Sequence, residues 1–145
     1  MIGPFRGQYR FLSNFFPAMI MMDGIFYPTV EHAYQASKTE HHLERVEIRD
    51  APTAGIARRR GKALGPVLSG WLSRRLDIMY GLVHQKFFAH RHLGDFLLET
   101  REEDLVEVNT WNDTYWGVCK GVGQNHLGKI LMRVRAELKE SKRGQ

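Results

Sequence analysis

One short segment of the chain carries four chemically active side chains at helical spacing. Residues 31–38 read Glu-His-Ala-Tyr-Gln-Ala-Ser-Lys, and in them Glu31, Tyr34, Gln35 and Lys38 fall at i, i+3, i+4 and i+7. On a helix these positions form one stripe. A carboxylate, a phenol, an amide and an amine held on one rigid element are groups that a catalytic pocket needs.

The rest of the same segment bears on whether this stripe lines a pocket or faces solvent. A solvated helix face also carries polar i,i+4 pairs, so the stripe alone fits either interpretation. Ala33, Ala36 and Ser37 on the other face are small, so the helix has no better stripe to bury. Pro28 and Thr29 precede the segment as a bend and a cap, which predicts a helix from about residue 30.

A second segment, residues 112–125, combines an acid, aromatic rings and glycines. Asp113 stands beside Tyr115 and Trp116, and glycines follow at 117, 121 and 123 ahead of Asn125. Glycine lets the backbone approach a ligand, and a helix start offers N–H groups to an anion, so this pattern predicts a ligand loop. The glycine spacing matches neither the dinucleotide fingerprint nor a P-loop, which leaves simple turn geometry as the alternative.

The three tryptophans are candidates for stacking on a planar base. Core packing is the alternative for each of them. Trp71 is predicted to begin a long helix, and Trp116 follows Asp113 by three residues. These two are therefore better candidates for a functional role than Trp111. Asn125 is predicted to cap the last helix with its side chain.

Composition restricts the class of ligand. The 145 residues carry a formal charge of +5, with basic clusters at residues 58–62, at 74–75 and along the C-terminal helix. Such clusters favour an anionic ligand such as a phosphate ester, a nucleotide or nucleic acid, with a solvated basic surface as the alternative. The single cysteine, Cys119, excludes a disulfide framework, and the seven histidines lack metal-ligand spacing, so we expect no metal.

The periodicity predicts a helix-rich α+β fold in a single domain, residues 1–145, around a small antiparallel sheet. Residues 19–22 and 25–27 flank Asp23-Gly24, a hairpin signal. A strand is expected at residues 105–108. Helices are expected at residues 43–48, 53–64, 71–89 and 93–99, and from Asn125 onward. In the long helix the predicted apolar stripe is Leu72, Leu76, Met79, Val83 and Phe87. Neither a signal peptide nor a membrane-length apolar stretch is evident, so we expect a cytoplasmic protein that does not contact a membrane.

Taken together, five ordered blocks resemble the NADAR (YbiA-like) family. They are Phe-Leu-Ser-Asn-Phe-Phe at 11–16, the segment 31–38, Trp71 with Met79 and Lys86-Phe87, Asn-Asp-Thr-Tyr-Trp-Gly at 112–117, and residues 123–135. The resemblance spans residues 5–135, nearly the whole chain. It implies a cofactor-free N-glycosidase that acts on ribosylated nitrogen compounds.

The resemblance also implies roles for particular positions. Glu31, Lys38 and Asp113 match positions with catalytic roles, Lys38 being a lysine proposed to act covalently on the sugar. The matches to pocket-lining positions are Asn14, Tyr34, Gln35, Trp71, Trp116 and Asn125. One branch of the family hydrolyses phosphorylated ribosylamino-pyrimidine intermediates of riboflavin synthesis. Another removes ADP-ribose from guanine bases, which would make ADP-ribosylated nucleic acid a substrate.

The residues themselves suit this chemistry. Breaking a ribosyl C–N bond builds positive charge on the sugar, which a carboxylate from Glu31 or Asp113 stabilises while the other activates water or protonates the leaving nitrogen. Alternatively, a Lys38 amine of lowered pKa attacks C1 of the ring-opened sugar. A third alternative is a non-catalytic module that binds ADP-ribose or an NAD-like nucleotide, although such a module does not need Glu31 and Lys38 together.

Overall fold

The computed structural model describes residues 1–144, which fall into two compact units. One unit is residues 14–82. The other combines residues 1–13 with the chain from Val83 onward, and helix α4 (Trp71–Ala89) contributes to both. The predicted α+β class, rich in helix with a small antiparallel sheet, is confirmed.

The unit of residues 14–82 begins with a hairpin. Strands β1 (Ile20–Met22) and β2 (Ile25–Tyr27) pair antiparallel, with Met21 opposite Phe26. Asp23 and Gly24 both have positive φ, 51° and 80°, as the favoured two-residue hairpin turn requires. The prediction from Asp-Gly is therefore confirmed.

Three helices follow the hairpin: α1 (Val30–Ala36), α2 (His42–Arg49) and α3 (Ala54–Lys62). The hydroxyl of Thr29 caps α1 by accepting from the His32 N–H at 3.1 Å, and Thr53 caps α3 in the same way. All seven residues of α1 are buried, so its polar stripe is not a solvated face. Lys38 lies two residues beyond the end of α1, which corrects the expectation that the stripe continues on the helix through residue 38.

The long helix α4 buries a different line of side chains from the one predicted. Met79, Val83 and Phe87 are buried as expected, but Leu72 is 63% exposed and Leu76 38% exposed. Trp71 takes the buried position in the first turn instead. A shift of one residue turns a helix by 100°, so burying Trp71 moves Leu72 toward solvent.

The second unit contains a 3₁₀ helix (Gly7–Leu12), α5 (Arg91–Glu99) and α6 (His126–Arg143). Strands β3 (Val108–Asn109) and β4 (Val118–Cys119) form a short parallel pair that was not predicted. The expected strand at 105–108 is wrong. Leu105 makes only an isolated bridge with Ile2, because Asp104 and Val106 hydrogen-bond to the Ile2 backbone, and ladder pairing begins at Val108.

The cores follow from helical periodicity. In α6 the buried apolar residues are Leu127, Ile130, Leu131, Val134 and Leu138, as predicted. Among residues 1–144, no helix is both long enough and apolar enough to span a bilayer. The same residues hold no group of three His, Cys, Asp or Glu side chains placed to bind a metal ion.

Candidate active site

The carboxylate of Glu31 is buried and hydrogen-bonded in the unit of residues 14–82. Glu31 is only 4% exposed, and its Oε1 accepts from Gln35 Nε2 at 2.9 Å and from Arg58 Nε at 3.2 Å. A buried carboxylate is costly unless it is paired and hydrogen-bonded, and the Arg58 cation supplies that pairing. The first turn of α1 thus holds a fixed negative charge.

The backbone under Glu31 is fixed from the preceding loop. The Glu31 N–H donates to the carbonyl of Asn14 at 3.1 Å. The Asn14 side chain is buried, and its Nδ2 donates to the sulfur of Met79 on α4 at 3.4 Å. Asn14 therefore supports the site with its carbonyl, while its amide binds Met79.

Helix α3 approaches α1 closely because it has a glycine at the contact. A Cβ on Gly61 would overlap the side-chain amide of Gln35. Gln35 is buried, its Nε2 faces the carboxylate of Glu31, and its Oε1 accepts no hydrogen bond from the described residues. The close approach of Gly61 therefore encloses this oxygen and leaves it unsatisfied.

An aromatic ring covers the cation that holds Glu31. The Arg58 guanidinium lies over the Phe15 ring, 4.8 Å from its centroid. Such a contact helps to hold the planar guanidinium in place. Arg58 was predicted only as part of a basic cluster, so its contact with Glu31 is new information from the structure.

Lys38 and Trp71 lie together in the same unit. The Lys38 Nζ is 5.5 Å from the centre of the Trp71 ring, and the Tyr34 ring centroid is 5.3 Å from that of Trp71. The indole N–H donates to Ser37 Oγ at 2.9 Å, and the Leu68 N–H donates to the Lys38 carbonyl at 2.9 Å. These two hydrogen bonds hold the residues just before α4 against the end of α1.

Burial lowers the pKa of Lys38. The negative charge of Glu31 opposes this shift, whereas the positive charges of Lys62 and Arg58 reinforce it. A lowered pKa raises the fraction of neutral amine, the nucleophilic form, near neutral pH.

Six of the predicted site residues occupy the unit of residues 14–82: Asn14, Glu31, Tyr34, Gln35, Lys38 and Trp71.

The other three predicted site residues belong to the second unit. Asp113 Oδ1 accepts from the N–H groups of Tyr115 at 3.2 Å and Trp116 at 2.9 Å. Asn109 holds the Asp113 backbone from both sides, accepting from its N–H at 3.0 Å and donating to its carbonyl at 2.8 Å. Asp113 therefore organises the loop that carries Trp116, and one carboxylate oxygen is committed to that turn.

Trp116 packs in this loop against two other rings. Its ring centroid lies 4.9 Å from that of Tyr115, edge to face, and 6.4 Å from that of His126. The indole is partly exposed, so its ring is neither a fully buried core residue nor a free platform.

Asn125 does not cap α6 with its side chain, which corrects the prediction. It stands at the cap position with a φ of 52°, but its Oδ1 accepts from the Glu107 N–H at 3.0 Å and its Nδ2 donates to the Leu105 carbonyl at 2.9 Å. The bridge to Ile2 uses the Asp104 carbonyl and the Val106 N–H, and the Asn125 amide satisfies the Leu105 carbonyl and the Glu107 N–H instead.

Sequence reasoning missed two residues that shape the site, Arg58 and Gly61. Glycine inside a helix costs about 1 kcal/mol relative to alanine, so Gly61 was itself a sign of close backbone approach. No comparable signal in the sequence links Arg58 to Glu31, because 27 residues separate them.

Comparison with known proteins adds independent information. The model of the NADAR domain matches residues 4–139. N-glycosidase YbiA of Escherichia coli is 38% identical over 133 residues, covering 90% of this chain and 82% of that protein. The maize riboflavin biosynthesis protein PYRR, chloroplastic, is 34% identical over 143 residues, covering 87% of this chain and 23% of that protein. The NMR structure of E. coli YbiA matches with a TM-score of 0.87 at 34% identity, over 99% of this chain and 86% of that one.

Proposed function

This chain belongs to the NADAR domain family and is an N-glycosidase, and we propose that it hydrolyses the ribosyl C–N bond of phosphorylated ribosylamino-pyrimidine intermediates of riboflavin synthesis. The names of two kinds of relative support this proposal, N-glycosidase YbiA and a riboflavin biosynthesis protein. The substrate is a small molecule, and the riboflavin intermediates are the finer assignment that we propose. We also propose that the reaction takes place in the cytoplasm.

One observation carries the mechanism: a buried carboxylate, Glu31, is fixed by Gln35 and Arg58 in the same unit as an amine of lowered pKa, Lys38. Cleavage of the C–N bond places positive charge on the sugar ring. A carboxylate that is already desolvated and held in place stabilises that charge without reorganising. Glu31 is therefore proposed as the electrostatic catalyst.

Two routes complete the reaction. In the first, water adds to C1′ while the leaving nitrogen takes up a proton, and Asp113 is proposed as the acid or base. In the second, Lys38 Nζ bonds to C1′ of the ring-opened sugar as the protonated nitrogen leaves. The resulting imine is then hydrolysed by water, which returns the free amine of Lys38 and the free sugar.

Aromatic residues are proposed to hold the base. Trp71 is fixed by Ser37 and flanked by Tyr34, and Trp116 lies partly exposed in the loop that Asp113 organises. Stacking of a pyrimidine on such a ring contributes about 1–3 kcal/mol per base.

The basic residues of α3 favour a second candidate, removal of ADP-ribose from guanine bases of nucleic acid or nucleotides. Arg58, Arg59, Arg60 and Lys62 lie within five consecutive residues of that helix. A polymeric substrate predicts a steep fall of activity with salt, because each phosphate contact releases counterions. A single phosphomonoester predicts a much weaker salt dependence.

A paired hydrolysis assay tests the proposal. Purified protein is incubated with a phosphorylated ribosylamino-pyrimidine in one series and with ADP-ribosylated guanine in the other, each repeated with Glu31→Gln. Release of ribose 5-phosphate that falls at least about 100-fold in Glu31→Gln supports the first function. Release of ADP-ribose instead supports the second, and silence on both substrates with a folded variant would leave a binding module.

Borohydride treatment during turnover separates the two routes. Reduction of an imine would join the sugar to Lys38 and add its mass to one peptide. Lys38→Arg keeps the positive charge but cannot form the imine, so it is the matched control. Full activity in Lys38→Arg would exclude the covalent route.

A further inference from the structure

Two basic residues of α3, Arg58 and Lys62, lie close enough to Lys38 for their charges to act on its amine. Both lower the pKa of Lys38, whereas the carboxylate of Glu31 raises it. Arg58 is already committed to Glu31 at 3.2 Å. Lys62 is exposed, so its ammonium is available to a ligand.

Helix geometry separates Lys62 from the other basic residues of α3. The helix buries Ala54, Ala57 and Gly61, and its positions 58 and 62, one turn apart, flank that buried face on one side. Arg60 lies on the opposite flank, where its Nη1 donates to the Glu47 carbonyl at 2.7 Å. Arg59 points away from the buried face and is exposed.

We infer that Lys62 is the phosphate-recognition residue of this enzyme, on the side of α3 where Arg58 holds Glu31, and that the ligand is a phosphomonoester dianion. This inference rests on the proposed function, because it assigns the group that selects the phosphorylated substrate. Lysine binds phosphate as a compact point charge, and no second arginine on this flank is required. Arg59 and Arg60 do not take part.

Product binding tests this assignment directly. Ribose 5-phosphate and ribose are titrated into the wild-type protein, Lys62→Gln and the matched control Arg59→Gln, which removes the same charge from the same helix. We expect the wild-type protein and Arg59→Gln to bind ribose 5-phosphate at least about ten-fold more tightly than ribose. In Lys62→Gln this preference is expected to disappear.

Equal loss of the preference in Arg59→Gln would overturn the inference, since it would make the effect a general charge effect. Retention of the preference in Lys62→Gln would overturn it as well. The same variants are then assayed with the phosphorylated and dephosphorylated ribosylamino-pyrimidine. If wild-type protein turns over neither substrate yet binds ribose 5-phosphate through Lys62, the proposed function fails while the phosphate site stands.

Discussion

Arg58 Nε lies 3.2 Å from Glu31 Oε1, and this ion pair joins helix α3 to the first turn of α1. The Glu31 side chain is 5% exposed and the Arg58 side chain 30% exposed, so the anion is the buried partner. Removing the cation leaves the carboxylate without its charged partner, whereas removing the anion leaves a cation that can turn to solvent. The two deletions are therefore unequal.

This inequality gives the first prediction. Arg58→Met is expected to destabilise the protein by about 1–3 kcal/mol, because Glu31 is left buried with only the Gln35 amide. Glu31→Gln is expected to change stability by less than about 1 kcal/mol. Urea denaturation of both single variants and of the double variant measures the difference. A double variant no more stable than Arg58→Met would contradict the account, since removing the orphaned charge must recover stability.

The contact between Gly61 and Gln35 gives a second prediction. In Gly61→Ala the new methyl group overlaps the Gln35 amide, so we expect a loss of about 1–3 kcal/mol and a fall in activity as Gln35 leaves Glu31. Gly55→Ala, on the same helix, meets only atoms at 3.9–4.0 Å and is the matched control. It is expected to be neutral or stabilising by up to about 1 kcal/mol.

A double variant refines this test. In Gly61→Ala/Gln35→Ala the overlap with the amide is gone and only the contact with the Cβ of residue 35, at 2.8 Å, remains, so the two substitutions should destabilise by less than the sum of their separate effects. Simple additivity would mean that Gly61 matters for some reason other than the approach of Gln35.

Asp113 permits a separation of its structural and chemical roles. Asp113→Asn keeps an oxygen that can accept from the N–H groups of Tyr115 and Trp116, so we expect the loop and its stability to survive. Asp113→Ala loses that acceptor and should destabilise by about 1 kcal/mol. If Asp113 is the acid or base, both variants lose turnover, whereas a purely structural Asp113 would leave Asp113→Asn active. Thermal denaturation and the hydrolysis assay on the same samples make the distinction.

Local signals in the sequence were reliable where the physics is local. The Asp23-Gly24 turn, the caps at Thr29 and Thr53 and the helical period of α6 depend on neighbouring residues, and each is confirmed. Asn125 shows the limit, because its side chain went to the backbone of residues 105 and 107 rather than to its own helix. The Glu31–Arg58 pair shows the same limit, since a contact across 27 residues leaves no local pattern.

Lys86 gives the last prediction, on stability against pH. It is 1% exposed on α4, its Nζ donates to the Ser13 carbonyl at 2.8 Å, and burial lowers its pKa from 10.5 to about 7. Between these two values the unfolded chain binds a proton that the folded protein does not. The contribution of Lys86 to the free energy of unfolding therefore rises with pH from about 7 to about 10.5, by up to about 1.4 kcal/mol per pH unit. It is flat below that window because both states are protonated.

Lys86→Met should remove this contribution from the measured free energy of unfolding, whereas Lys129→Met, at an exposed position of α6, should keep it. A wild-type curve that runs parallel to that of Lys86→Met across the window would show that Lys86 keeps its ordinary pKa in the fold.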